Sequence, residues 1–158
     1  VRTGQRRAFA VLVVAIVGIA GCSRNNDDEV DATDLGADGV GECLDVPDDV
    51  GSEINDLPVA ACDEAHTHEI YAVLTSEAET YPGFDALEAE AQAACLTAFQ
   101  PYVGINAFDS NLFYSWLVPT LASWEDTSIG ERGDREIVCV VGAANGEPLV
   151  GSVRDSGR

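Results

Sequence analysis

The chain has 158 residues, with 28 Asp or Glu against eight Arg and no Lys, for a formal net charge of -20. That balance excludes nucleic-acid binding, which needs a cationic face to neutralise phosphates, and it disfavours direct docking on anionic lipid headgroups. It suits a cationic partner or simple solubility.

The first stretch is addressing sequence. Arg2, Arg6 and Arg7 make a basic n-region, and residues 8–20 form an uncharged run of 13, mostly Val, Ile and Ala. A membrane-spanning helix needs about 20 apolar residues, so the run has the length of a signal h-region. It ends in Ile19-Ala20-Gly21-Cys22. Small residues before a cysteine form a lipoprotein cleavage site, in which the Cys22 thiol takes a diacylglyceryl group. Residues 1–21 are therefore predicted to be a lipoprotein signal peptide, with Cys22 carrying the lipid. The competing reading is an uncleaved anchor helix. Both place the rest of the chain outside the cytoplasm, lipid-anchored at the extracytoplasmic face of the cell membrane in the first case. The signal carries three arginines and no acid, so the remainder carries -23.

Residues 22–40 are predicted to be an acidic disordered tether. Asp27, Asp28, Glu29, Asp31, Asp34 and Asp38 face a single Arg24, and the segment lacks the apolar surface to offset its ordering entropy. The globular domain is expected over residues 41–158. Its four cysteines, Cys43, Cys62, Cys95 and Cys139, are an even number in an exported domain, which implies two disulfides. Three pairings are possible. Cys43–Cys62 with Cys95–Cys139 is expected, because the others tie the N-terminal hairpin to distant elements. No two cysteines are spaced like a zinc motif.

Within the domain, residues 42–46 predict a short strand carrying Cys43. Pro47-Asp48-Asp49 and Asn55-Asp56-Leu57-Pro58 read as turns. Residues 68–74 predict a strand in which Ile70, Ala72 and Leu74 alternate with Glu69, Tyr71 and Val73. Residues 85–99 form the clearest helix. Asp85 and Glu88 have capping-box spacing, with Phe84 at the staple position, and Leu87, Ala91, Ala94, Cys95 and Ala98 line one face. Pro101 is expected to end it. Residues 112–118 alternate as a strand bounded by Pro119, and Trp124 reads as a packing aromatic. Gly130 to Asp134 has turn chemistry, and residues 135–141 predict a strand with Ile137, Cys139 and Val141 on one face. Asn145-Gly146 predicts a hairpin turn into a last strand over 149–153. The sum is an α+β fold: a small antiparallel sheet with one main helix packed on it and two disulfides.

A series of residues then marks a family. Gly41-Glu42-Cys43-Leu44-Asp45 is followed by Val59-x-x-Cys62-Asp63-Glu64-x-His66-x-x-Glu69. Cys95 on a helix, Tyr102-Val103-Gly104, Pro119, Trp124 and Gly133-Asp134-Arg135 ahead of Cys139 complete it. In this order the chain resembles the septum-formation domain of actinobacterial envelope proteins, from about Gly41 to Arg154. The resemblance implies an extracytoplasmic domain linked to cell division and septum formation, and it implies no enzyme activity.

The chemistry-bearing residues are few. His66 and His68 sit two apart, so on an extended segment both rings point to one side. With Glu69, and with Asp63 and Glu64 nearby, they form the alternative reading of a periplasmic metal site. The leading reading has no metal and no cofactor, with His66 ordering the Cys62 turn. No nucleophile elbow or phosphate loop is present, and the chain is read as non-catalytic. A small-molecule-binding lipoprotein feeding a transporter is disfavoured by the single-domain length. The expected function is envelope or division-septum assembly, through an envelope protein or cell-wall component, with the membrane contacted through the lipid on Cys22.

Overall fold

The computed structural model of the chain describes residues 29–31, 39–46 and 56–158. The signal segment, Cys22 and the Pro47-Asp48-Asp49 turn lie outside them. In chain order the elements are β1 (Glu29–Asp31), β2 (Cys43–Leu44), β3 (Asp56–Ala60), β4 (Ala65–His66), β5 (His68–Thr75), α1 (Phe84–Val103), β6 (Leu112–Leu117), α2 (Leu121–Glu125), β7 (Glu136–Ala143) and β8 (Leu149–Val150). Six strands form one sheet in the order β1-β3-β2-β5-β7-β6, and β4 pairs with β8 apart from it. All pairings are antiparallel. The fold is α+β, with one main helix lying on an antiparallel sheet and two disulfides. No helix among the described residues is long and apolar enough to cross a membrane.

The sheet is centred on β5 and β7, whose two faces bury different clusters. Tyr71, Ile137, Cys139 and Val141 face Ala91, Cys95, Phe99 and Val103 of α1. Leu44, Leu57, Ile70, Val138 and Val140 form the cluster on the opposite face. β7 behaves as its alternation predicts, with Ile137, Cys139 and Val141 together. β5 does not. The register with β7 shifts between Ile70 and Ala72, leaving Tyr71 as an extra residue. This bulge puts Ile70 on one face and both Ala72 and Leu74 on the other, so the predicted grouping of these three is broken. Its consequence is that Glu69, Tyr71, Ala72 and Leu74 share the helix side.

The helix is longer than its sequence signals. Gly83, not Asp85, occupies the N-cap, with no side-chain cap bond, and Phe84 is 54% exposed. Capping box and staple are therefore both absent. The first helical bond runs from the Leu87 N–H to the Gly83 carbonyl at 3.1 Å, which places Asp85 inside the first turn, where its charge complements the helix dipole. Pro101 does not stop the helix either. It sits on the exposed side of the last turn, and the helix ends one residue before Gly104, which takes φ 91° and donates to the Gln100 carbonyl. The added turn buries Tyr102 and Val103. Burying such side chains is worth about 1.5–3 kcal/mol each, enough to offset a proline near a helix end.

Three more expectations are corrected. Asp56-Leu57-Pro58 is strand, because β3 is held between β1 and β2 and Pro58 still offers its carbonyl to the Asp45 N–H at 3.0 Å. Part of the predicted tether, Glu29–Asp31, is the strand β1. Asn145-Gly146 does turn the chain, with the Gly146 N–H donating to the Ala143 carbonyl at 3.0 Å, but β8 does not return along β7. Both edges of β7 are already occupied by β5 and β6, so β8 pairs with β4 instead. The short helix α2 follows Pro119, with Thr120 and Ser123 forming its capping box.

The cysteines pair as expected. Cys95–Cys139 pins α1 to β7, closing 44 residues, and Cys43–Cys62 ties β2 to the segment after β3, closing 19.

Candidate functional site

The most specific block of the sequence, Cys62 to Glu69, is also where buried polar groups gather. Fully buried polar side chains are unusual unless satisfied, and His66 and Glu69 are both 0% exposed. Glu69 enters the interior because β5 alternates after the bend at Thr67, with His68 turned toward Gly142 and Glu69 toward the helix side of the sheet. There its carboxylate accepts three hydrogen bonds. The Tyr102 hydroxyl donates to Oε1 at 2.5 Å, the Ser152 hydroxyl to the same oxygen at 2.7 Å, and the Val153 N–H to Oε2 at 2.7 Å. Three distant parts of the chain, β5, the last turn of α1 and the segment after β8, therefore meet on one side chain. Burial first, then the hydrogen bond to Glu69 and its charge, push the Tyr102 hydroxyl well above the usual tyrosine range. The Arg154 guanidinium lies 4.4 Å from the Tyr102 ring centroid.

His66 ends β4, opposite Leu149 of β8. Its Nδ1 is 2.9 Å from the Glu64 carbonyl. A carbonyl only accepts, so Nδ1 carries the proton, and in the neutral ring Nε2 carries the lone pair. Nε2 is buried with no hydrogen-bond partner. Thr67 then bends the chain. Its N–H and hydroxyl both donate to the Leu44 carbonyl, and the hydroxyl oxygen accepts from the Val46 N–H. This break separates the roles of the two histidines. His68 opens β5, has Nδ1 3.0 Å from the Thr67 hydroxyl, and lays its ring beside Gly142, where an added Cβ would stand 3.2 Å from Cδ2. Burial, and secondarily the charge of His66, lower the His68 pKa below its usual value.

Of the metal set read from the sequence, His66 and Glu69 come together and His68 does not join them. The third member is Cys43: one potential ligand atom from each of Cys43, His66 and Glu69 lies within 4.8 Å of the others, all three fully buried. In the oxidised protein Cys43 is spent on the bridge to Cys62, and a disulfide sulfur is not a thiolate ligand. The sequence offered no signal for Cys43, because β2 and β5 meet only through sheet pairing, Cys43 opposite Glu69. Tyr102, Ser152 and Val153 were likewise missed as partners of Glu69. Asp63 and Glu64 are exposed.

Trp124 is a packing aromatic, as its sequence context predicts. It is 4% exposed, with the Tyr81 ring edge-on at 5.6 Å and the Arg135 guanidinium 3.6 Å from its ring centroid. Gly133 closes this corner with φ 68°, and a Cβ there would lie 2.2 Å from the Trp124 carbonyl oxygen.

A family model described as septum formation matches residues 23–139. No curated protein and no solved structure matches the chain. The matched span contains both disulfides, the buried His66 and Glu69, and the helix whose Tyr102 bonds Glu69. With about three-quarters of its length covered in this way, the chain belongs to the septum-formation family.

Proposed function

We propose that this protein is a lipid-anchored, extracytoplasmic, non-catalytic domain that takes part in division-septum or envelope assembly by binding an envelope protein or a cell-wall component. The observation that carries the reading is the pair of disulfides in a member of a family named for septum formation. Disulfides persist outside the reducing cytosol. The basic n-region, short apolar run and Ala20-Gly21-Cys22 ending supply the route out and the anchor. The acidic residues near the predicted anchor, part of them in β1, oppose docking of the domain on an anionic leaflet. The Glu69 carboxylate is tied by three hydrogen bonds that join three parts of the chain, which suits a scaffold.

The test has two arms. Cys22→Ala abolishes incorporation of labelled palmitate and releases the protein from the membrane fraction; continued acylation overturns the anchor. Depletion in growing cells alters septum placement or cell length; unchanged septa and unchanged tolerance of envelope stress overturn the role.

A further inference from the structure

We propose that the Cys43–Cys62 bridge closes a latent zinc site, which opens to the metal when a dithiol reduces the bridge. Three observations converge. His66 is fully buried with Nε2 unpartnered, and its Nδ1 bond to the Glu64 carbonyl fixes the tautomer that leaves a lone pair at Nε2. Backbone carbonyls hold metal-ligating imidazoles in this way. Glu69 is held by Tyr102, Ser152 and Val153, so its carboxylate cannot swing away from the site. Cys43 completes a group whose ligand atoms lie within 4.8 Å of one another.

A sulfur, an imidazole nitrogen and a carboxylate oxygen are a zinc donor set. The fourth ligand comes from the step that frees the third. Reduction breaks the S–S bond. The dithiol supplies two electrons and two protons and becomes a disulfide, and Cys43 and Cys62 become thiols. Zinc then binds both thiolates, and the two thiol protons pass to solvent. Cys62 is the half-buried partner, its Cα 5.3 Å from that of Cys43, so it is the sulfur a dithiol reaches and the side from which the ion enters. The oxidised protein lacks any thiolate here and excludes the metal. The site thus couples zinc occupancy to the thiol poise of the compartment. It requires neither the lipid on Cys22 nor a role in septation, so it stands or falls separately from the proposed function.

The experiment uses the full-length protein in detergent, oxidised or reduced anaerobically with a phosphine and desalted, then loaded with zinc or cobalt alone. Reduced protein is expected to take up one equivalent of zinc and to show thiolate-to-cobalt charge transfer, with oxidised protein showing neither. Bound zinc is expected to slow alkylation of Cys43 and Cys62 by at least ~10-fold, because the metal lowers the thiol pKa and a thiolate of lower pKa is the weaker nucleophile, while leaving Cys95 and Cys139 unprotected. His66→Gln, which keeps all four thiols, is expected to weaken zinc binding by at least ~10-fold. The proposal is overturned if reduced wild-type protein takes up no zinc, if zinc protects Cys95 and Cys139 equally, or if oxidised protein binds it as tightly. Because protection is read on the wild-type chain, the proposal remains testable even where His66→Gln fails to fold.

Discussion

Tyr102 donates a 2.5 Å hydrogen bond to Glu69, joining the last turn of α1 to the start of β5 across 33 positions of sequence. The contact exists because the helix continues through Pro101. Had it stopped at Gln100, Tyr102 would lie in a loop and the carboxylate would lose one of its three donors. A hydrogen bond to a charged group is worth about 1.5–3 kcal/mol. Tyr102→Phe should therefore lower unfolding stability by about 2 kcal/mol in urea titration. Glu69→Ala should cost more, because it also strands the buried Val153 N–H. Equal stability of Tyr102→Phe and wild type would mean that Glu69 does not depend on this donor.

The two bridges should contribute unequally. In the chain-entropy account a loop of 44 residues is worth about 4 kcal/mol and one of 19 about 3 kcal/mol. Cys95→Ala with Cys139→Ala should be the more damaging pair, since it also leaves space in the fully buried interface between α1 and β7. Chemical denaturation of both double variants in oxidising buffer gives the order, and the reverse order would reject it.

Gly133 and Gly146 both have positive φ, 68° and 75°, but their surroundings differ. A Cβ at Gly133 meets the Trp124 carbonyl oxygen at 2.2 Å, whereas at Gly146 nothing lies within 4 Å. Gly146→Ala should cost about 1 kcal/mol, the left-handed backbone penalty alone. Gly133→Ala should cost more than about 2 kcal/mol, because backbone must also move. Thermal unfolding of the two variants separates the terms, and similar melting temperatures would contradict the close approach.

The lowered pKa of His68 has a definite sign in stability. The unfolded chain, with a value near 6.5, takes up a proton at higher pH than the folded one. The contribution is whole above 6.5 and is lost as pH falls through the folded value. His68→Gln should therefore flatten the fall in unfolding free energy as pH drops below about 6.5. Comparing the two proteins isolates His68 from Asp134, whose pKa is raised chiefly by burial and acts in the opposite sense. Parallel curves for the two proteins would show that His68 does not contribute.

Much of the architecture was legible in local pattern. The 3.6-residue spacing of Leu87, Ala91 and Cys95 marked α1, and the alternation around Cys139 marked β7. The cysteine pairing that the structure shows is the expected one, because the other pairings tie the N-terminal hairpin to distant elements. These features are set by residues close in sequence, whose periodicity decides which face is apolar. The site depended on contacts of long sequence separation. No local signal says that Cys43 lies opposite Glu69, that Ser152 and Val153 return to the same carboxylate, or that Thr67 turns His68 away from His66. The bulge at Tyr71, the helix running through Pro101 and the diversion of β8 to β4 share this cause. In each, packing or an already occupied strand edge outweighed the local preference. Periodicity reports what one segment would bury, and only the assembled sheet decides which partner is left to bury it against.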